Sequence, residues 1–344
     1  MTATDGNEPF MLCKRTGGAM TLLLARDDVI QVLDMADCID VVEKAFAELA
    51  SGTAVLPLRI GIKPPGGISL YMPAYLKELG ALACKVVTVY KENPTKHDMP
   101  TTIGKVLLQD PETGDVICIM DGGYLTAVRT GAVSGVATKF LAREGDGHVA
   151  GIFGAGVQAR MQLRAVACVR NLSQAYVYDP SADAVQGFIE ALDDLDLKIE
   201  RAESPESLLG QADIVCTATS SPTPLFDGNL VRSGTHINGI GSHTPNAREL
   251  DTVIVKRSKF VADSAEACLS EAGDLMIPID EGAIAADHIY AELGGIVLGR
   301  KPARENDEEI TLFKSNGLAI QDVATAKLVY DKAVEAGIGI TVDL

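Results

Sequence analysis

Lys85 stands in the apolar stretch Ala81-Leu82-Ala83-Cys84-Lys85-Val86-Val87, an ammonium group among aliphatic neighbours. Burial disfavours the charged form and lowers a lysine pKa towards the range where it can give or take a proton, while any charge it keeps can hold a carboxylate. The same lysine could instead face solvent or blunt an edge strand. Arg59 and Arg129 also sit beside apolar strand or helix patterns. Either could clamp a carboxylate or phosphate with its planar fork, or serve as a surface salt-bridge partner.

A second group has the spacing of a phosphate cradle. Gly154-Ala155-Gly156-Val157-Gln158-Ala159 follows the apolar run His148–Phe153 and opens a helical pattern. In a G-x-G-x-x-A turn the first glycine permits the tight bend, the second lets backbone amides approach a pyrophosphate, and the small alanine lets helix and strand pack closely. Asp179 ends the following strand pattern, where a carboxylate accepts from the adenosine ribose hydroxyls and repels a 2′-phosphate, so NAD is expected over NADP. Ligands of such sheets bind beyond the carboxyl ends of the strands. The small polar stretches Thr217-Ala218-Thr219-Ser220-Ser221 and Gly239-Ile240-Gly241-Ser242-His243 fall there, and either face the ribose and nicotinamide or form surface turns.

The elements that position these residues follow from periodicity. Apolar residues at 29, 33, 39, 42, 46 and 49 predict one or two amphipathic helices ending at Gly52. Strand patterns at Leu58–Ile62, Ile68–Met72, Ala81–Tyr90, Lys105–Gln109 and Val116–Met120 form a meander, followed by a helix at Tyr124–Ala142 with an Ala/Gly/Val-rich face. From His148 the pattern changes to the β–α alternation of a doubly wound parallel sheet. Its strands are expected at His148–Phe153, Ala175–Tyr178, Lys198–Arg201, Asp213–Thr217 and Thr235–Ile240, with helices at Val157–Arg170, Ala182–Leu192 and Pro205–Ala212. Ile310–Phe313 reads as a strand and Leu318–Ala336 as a helix closed by Gly337 that returns to the first domain. The expected class is α/β, a Rossmann sheet over residues 141–311 inserted in an α+β substrate-binding and dimerisation domain over residues 21–140 plus 312–344.

Composition bounds the partners. The chain of 344 residues carries a formal net charge of −17, which opposes nucleic-acid binding because that affinity rests on cations neutralising phosphates. No apolar run approaches the roughly 18 residues of a membrane span. Seven cysteines lie far apart, without a C-x-x-C pair or a His cluster at metal-ligand spacing, so no metal is expected and they read as small core residues of a reduced, cytoplasmic compartment. Residues 1–20 read as a flexible tail rather than a signal peptide, since the apolar run from Met20 ends at Arg26-Asp27-Asp28; Met20 is itself a candidate start.

Taken in order, Leu58-Arg59, Met72-Pro73-Ala74-Tyr75-Leu76, Lys85, Met99-Pro100-Thr101, Ala127-Val128-Arg129-Thr130-Gly131-Ala132, the Gly154–Ala159 turn, His236-Ile237-Asn238-Gly239-Ile240-Gly241 and Ile310-Thr311-Leu312-Phe313-Lys314-Ser315 resemble the ornithine cyclodeaminase/mu-crystallin family. Within it the archaeal alanine dehydrogenases look nearest, through Glu309–Phe313 and Gly317-Leu318-Ala319-Ile320-Gln321-Asp322-Val323-Ala324. The resemblance implies a homodimeric NAD-dependent enzyme acting on an amino-acid or 2-oxo-acid substrate. It implies Arg59, Lys85 and Asn316 on the substrate, with Lys85 as acid/base. Thr101, Arg129, Gly154, Gly156, Val157, Gln158, Asp179, Thr219, Ile240, Gly241 and Ser315 would contact the dinucleotide.

One departure separates the activities in the family. Cyclodeaminases carry an acidic residue where this chain has His243, and an imidazole holds the δ-ammonium of ornithine less well, although it can shuttle protons. The expected reaction is therefore alanine dehydrogenation to pyruvate and ammonia, with Lys85 and His243 as the catalytic pair. Ornithine cyclisation, reduction of a cyclic ketimine and a non-catalytic, mu-crystallin-like binding role are the alternatives.

Overall fold

The computed structural model describes residues 20–344, so the expected tail lies outside the described residues except for Met20, which opens the first strand. The first region runs β1 (Met20–Leu24), α1 (Arg26–Val32), α2 (Met35–Ser51), β2 (Ala54–Val55), β3 (Ile60–Ile62), β4 (Ile68–Leu76), β5 (Ala81–Val89), α3 (Asn93–Lys96), β6 (Thr102–Gln109), β7 (Val116–Asp121) and α4 (Gly122–Leu141). Local chemistry sets the bounds of α2. Asp34 accepts from the Asp37 amide at its start, Gly52 ends it at φ +80°, and Cys38, Ile39, Val42, Ala45 and Phe46 bury one stripe.

β4 to β7 form the expected antiparallel meander, and β1 pairs parallel with β7. Lys85 is in phase with Ala81, Ala83 and Val87, so strand periodicity turns it to the buried face. Its strand is central, flanked by β4 and β6. The edge-strand reading of Lys85 is thereby overturned.

The second region runs β8 (His148–Phe153), α5 (Val157–Val169), β9 (Leu172–Tyr178), α6 (Ala182–Glu190), β10 (Ile199–Arg201), α7 (Pro205–Leu209), β11 (Ile214–Thr217), β12 (His236–Gly239), α8 (Thr252–Arg257), β13 (Lys259–Ala262), α9 (Ala265–Glu271), α10 (Gly273–Asp280), β14 (Ile289–Glu292), α11 (Leu293–Val297) and β15 (Thr311–Lys314). All pairs are parallel, in the order β10-β9-β8-β11-β12-β15-β13-β14. The order reverses beside β8, which opens the crevice where doubly wound sheets take their ligands. The short helices α8–α11 and the strands β13 and β14 went unassigned in the sequence, because elements of four to eight residues are too brief to show a period.

The boundary expected at 311/312 falls inside β15, all four residues of which pair with β12 and β13. The second sheet therefore claims the chain through Lys314. Beyond it α12 (Ala319–Ala336) packs on β4, β5, α2 and α4, and β16 (Ile340–Asp343), which was not expected, pairs with β1. The small-residue face of α4 joins the two regions. A Cβ at Gly131 would lie 2.5 Å from the Met161 carbonyl oxygen of α5. Of the cysteines, Cys38, Cys118, Cys216 and Cys268 are core residues, but Cys84 is half-buried and Cys168 exposed. Among the described residues no helix is long and apolar enough to cross a membrane, and no group of His, Cys, Asp or Glu could hold a metal.

Candidate active site

The glycine turn has the shape its sequence requires. Gly154 has φ +98°, and a Cβ there would stand 2.6 Å from the Ala218 carbonyl oxygen. A Cβ at Gly156 would meet nothing within 4 Å, and Gly156 begins α5 without a side-chain cap. Open space thus fronts uncapped first-turn amides, an arrangement that fits a pyrophosphate. Val157 is exposed beside it, and Gln158 carries a buried Oε1 without a partner. The Asp179 carboxylate accepts from Ala155 N at 3.2 Å and from Ser181 N at 2.9 Å, which places it against the turn.

Lys85 ends in a cluster that sequence reasoning missed. Its Nζ lies 2.7 Å from Asp322 Oδ2, and Arg129 Nε donates to Asp322 Oδ1 at 2.8 Å. Arg129 also donates to Gln321 Oε1 at 2.6 Å. Arg129, expected at the dinucleotide, is thus bound into the lysine cluster at the start of α12. Two cations share one carboxylate, and all three groups are almost fully buried. Burial, then repulsion by Arg129, lowers the Lys85 pKa to about 8 against the opposing pull of Asp322. A sequence signal for Asp322 existed: a carboxylate in the first turn of an otherwise Ala/Val/Ile-rich helix.

Arg59 lies at the mouth of a narrow cleft of about 70 Å³ that is also lined by Leu56, Met72, Glu271, Leu318 and Ala319. Its guanidinium pairs with Glu271 of α9, Nε donating to Oε1 at 2.9 Å, and burial lowers its pKa. Met72, in the wall of that cleft, is the register partner of Lys85, so the lysine cluster adjoins the residues that line it. Asn316 lies half-buried at its edge, donating to the Ala267 carbonyl at 3.2 Å and leaving Oδ1 without a partner. Thr101 is bonded within the first sheet, where its carbonyl accepts from Tyr90 N at 2.8 Å.

The loops after β11, β12 and β15 are held by acids that the sequence reading did not single out. Glu249 accepts from Thr217 Oγ1, Thr219 N, Thr219 Oγ1 and Gly241 N at 2.6–2.8 Å. Asp263 accepts from Ser315 Oγ, Asn316 N and Gly317 N at 2.8–2.9 Å. Ile240 is buried and bonded to the Thr217 carbonyl at 3.0 Å. Desolvation raises the Glu249 pKa. Lys314, fully buried, pairs with Asp274 at 2.9 Å; burial works against its charge, yet Asp274 and Glu249 prevail and its pKa is raised. His243 Nδ1 lies 3.1 Å from the Gly241 carbonyl. A carbonyl can only accept, so Nδ1 carries the proton and Nε2 keeps its lone pair. Desolvation, with the Lys314 and Arg59 cations nearby, lowers the His243 pKa.

A parallel sheet with a phosphate-fitting turn at its reversal point, and a poised lysine on the neighbouring sheet, define a dinucleotide-dependent oxidoreductase. The family model described as ornithine cyclodeaminase/mu-crystallin family matches residues 19–337, and the chain belongs to that family. The alanine dehydrogenase of Archaeoglobus fulgidus is 36% identical over 93% of this chain and 97% of its own length. Among solved structures, the Thermococcus litoralis Δ1-pyrroline-2-carboxylate reductase, in complex with NADH and L-proline, superposes with a TM-score of 0.89 at 49% identity, covering 94% of this chain and 100% of that one. An archaeal alanine dehydrogenase dimer with bound NAD gives a TM-score of 0.88 at 35% identity, covering 94% and 99%.

Proposed function

We propose that the protein reduces the carbon–nitrogen double bond of a small cyclic 2-imino acid, of the Δ1-pyrroline-2-carboxylate type, to the saturated amino acid with NADH, as a homodimer. The observation that carries this reading is the buried Lys85–Asp322–Arg129 cluster beside Met72, in the wall of the Arg59 cleft. Arg59 and the cluster's cations hold the substrate carboxylate, and the apolar wall of Leu56, Met72, Leu318 and Ala319 takes the methylene ring. Bound NADH supplies the hydride to the imine carbon. Lys85, its pKa lowered to about 8, gives the nitrogen its proton. His243, whose Nε2 is left as an acceptor, returns a proton from solvent. Gly154, Gly156, Val157 and Gln158 hold the pyrophosphate, Asp179 the adenosine ribose, and Thr219, Ile240, Gly241, Ser315 and Thr101 border the dinucleotide.

The 49% identity to the Thermococcus litoralis enzyme supports a cyclic imine over the alanine reaction expected from the sequence. Alanine dehydrogenation stands as the second reading, favoured by the Archaeoglobus fulgidus relative. Both need the same hydride and proton positions. Loss of NADH absorbance with Δ1-pyrroline-2-carboxylate is compared with that for pyruvate plus ammonia. The expected outcome is kcat/KM about ten-fold or more higher for the cyclic imine, the discrimination a shaped apolar pocket provides. Faster pyruvate amination would establish the alanine reading, conversion of ornithine to proline without net NADH loss the cyclodeaminase, and no turnover with any of them a binding role.

A further inference from the structure

We propose that Glu249 is the positioning residue of the nicotinamide half of the site, fixing the loops after β11 and β12 and, through Gly241, the orientation of His243. The inference rests on the dinucleotide reading given above and concerns a residue that touches neither substrate nor cofactor.

Glu249 is fully buried, and its carboxylate joins two strand ends. Oε1 accepts from Thr219 N at 2.6 Å and Thr219 Oγ1 at 2.7 Å; Oε2 accepts from Thr217 Oγ1 at 2.8 Å and Gly241 N at 2.7 Å. Only an acceptor without hydrogens can serve all four donors, which is why a carboxylate stands in a place so costly to charge. Gly241 donates its amide to Glu249 while its carbonyl accepts from His243 Nδ1. A side chain at Gly241 would collide with the Glu249 carboxylate and the Thr219 carbonyl, so the contact requires glycine.

Glu249 is itself fixed. Its amide donates to Asp274 Oδ1 at 2.8 Å, Asp274 pairs with Lys314, and Lys314 Nζ donates to the Ser242 carbonyl at 2.5 Å. The ends of β11, β12 and β15 are thereby tied into one network next to His243. The adenosine half has hydrogen bonds of its own, Gly154 N donating to the Tyr178 carbonyl at 2.9 Å and Asp179 binding Ala155 and Ser181, and it meets the loop after β11 where Gly154 packs on Ala218. Loosening Glu249 should therefore loosen one end of the dinucleotide more than the other.

The test is equilibrium titration of the full-length protein with NADH, and with AMP as a probe of the adenosine half alone. In Glu249→Gln the amide turns an NH₂ towards backbone donors, and NADH affinity should fall about ten-fold or more while AMP affinity stays within about two-fold of wild type. Turnover at saturating NADH should fall as well, because His243 loses its fixed tautomer. Thr217→Val, which removes one donor without changing side-chain shape, should shift NADH affinity in the same direction by a smaller factor. NADH binding unchanged in both variants, or NADH and AMP weakened by the same factor, would overturn the inference. Should Glu249→Gln fail to fold, an unchanged NADH affinity in Thr217→Val overturns it. Wild-type protein that binds neither NADH nor AMP would overturn the proposed function instead.

Discussion

Among the described residues two lysines are fully buried, and they have opposite fates. Lys85, on the central strand of the first sheet, and Lys314, at the end of β15 in the second, are both almost without solvent contact and both paired to an aspartate within 3 Å. Burial works against the charge of each. Lys85 shares its one carboxylate, Asp322, with Arg129, and its pKa falls to about 8. Lys314 stands between two carboxylates, Asp274 and Glu249, and its pKa rises above the ordinary lysine value. Burial alone does not set the proton affinity of a lysine here; the ratio of cations to anions around it does.

The strongest test of that contrast is Lys85→Met. Methionine keeps the length and apolar stem, so turnover should drop by about 10²- to 10⁴-fold while NADH affinity and folding persist. A folded variant that keeps more than about a tenth of wild-type turnover would remove Lys85 from the chemistry. Stability should reverse the order. Lys314→Met leaves Asp274 and Glu249 facing each other in the core and should cost about 3–5 kcal/mol by denaturant unfolding. Lys85→Met leaves Arg129 and Asp322 as a one-to-one pair and should cost less than about 1.5 kcal/mol. Equal losses in the two variants would break the comparison.

The pH dependence sharpens it further. Reduction needs the Lys85 ammonium, so kcat should decline as pH rises through about 8, and oxidation of the amino acid, which needs the free amine, should climb through the same range. Asp322→Asn removes the one group that favours the ammonium, and both limbs should move down by about 1 unit or more. An unmoved limb would assign the titration elsewhere. The smallest effect is at the adenosine end: Asp179→Ser should narrow the preference for NADH over NADPH, read as the ratio of their KM values.

Local patterns made much of this molecule legible. The glycine turn, the β–α alternation from His148, Asp179 at a strand end and the last helix closed by Gly337 are each settled by neighbours along the chain. The direction of Lys85 was not legible, because both faces of Ala81–Val87 are apolar and only the packing of the sheet decides which one is buried. Nor were the short elements between β12 and β15, because their order in the sheet depends on pairing with strands distant in sequence.

What the sequence determined by itself, then, was the class of chemistry: a dinucleotide cradle and a lysine in an apolar strand. The tertiary structure alone decided which charges face one another. Asp322 lies 193 residues from Arg129, and Glu249 lies 32 from Thr217, separations at which no period or motif couples residues. Coulomb interactions act through space and strengthen as water is excluded. The proton affinity of Lys85 is therefore a property of the fold that closes α12 over β5, and not of the segment in which the lysine is written.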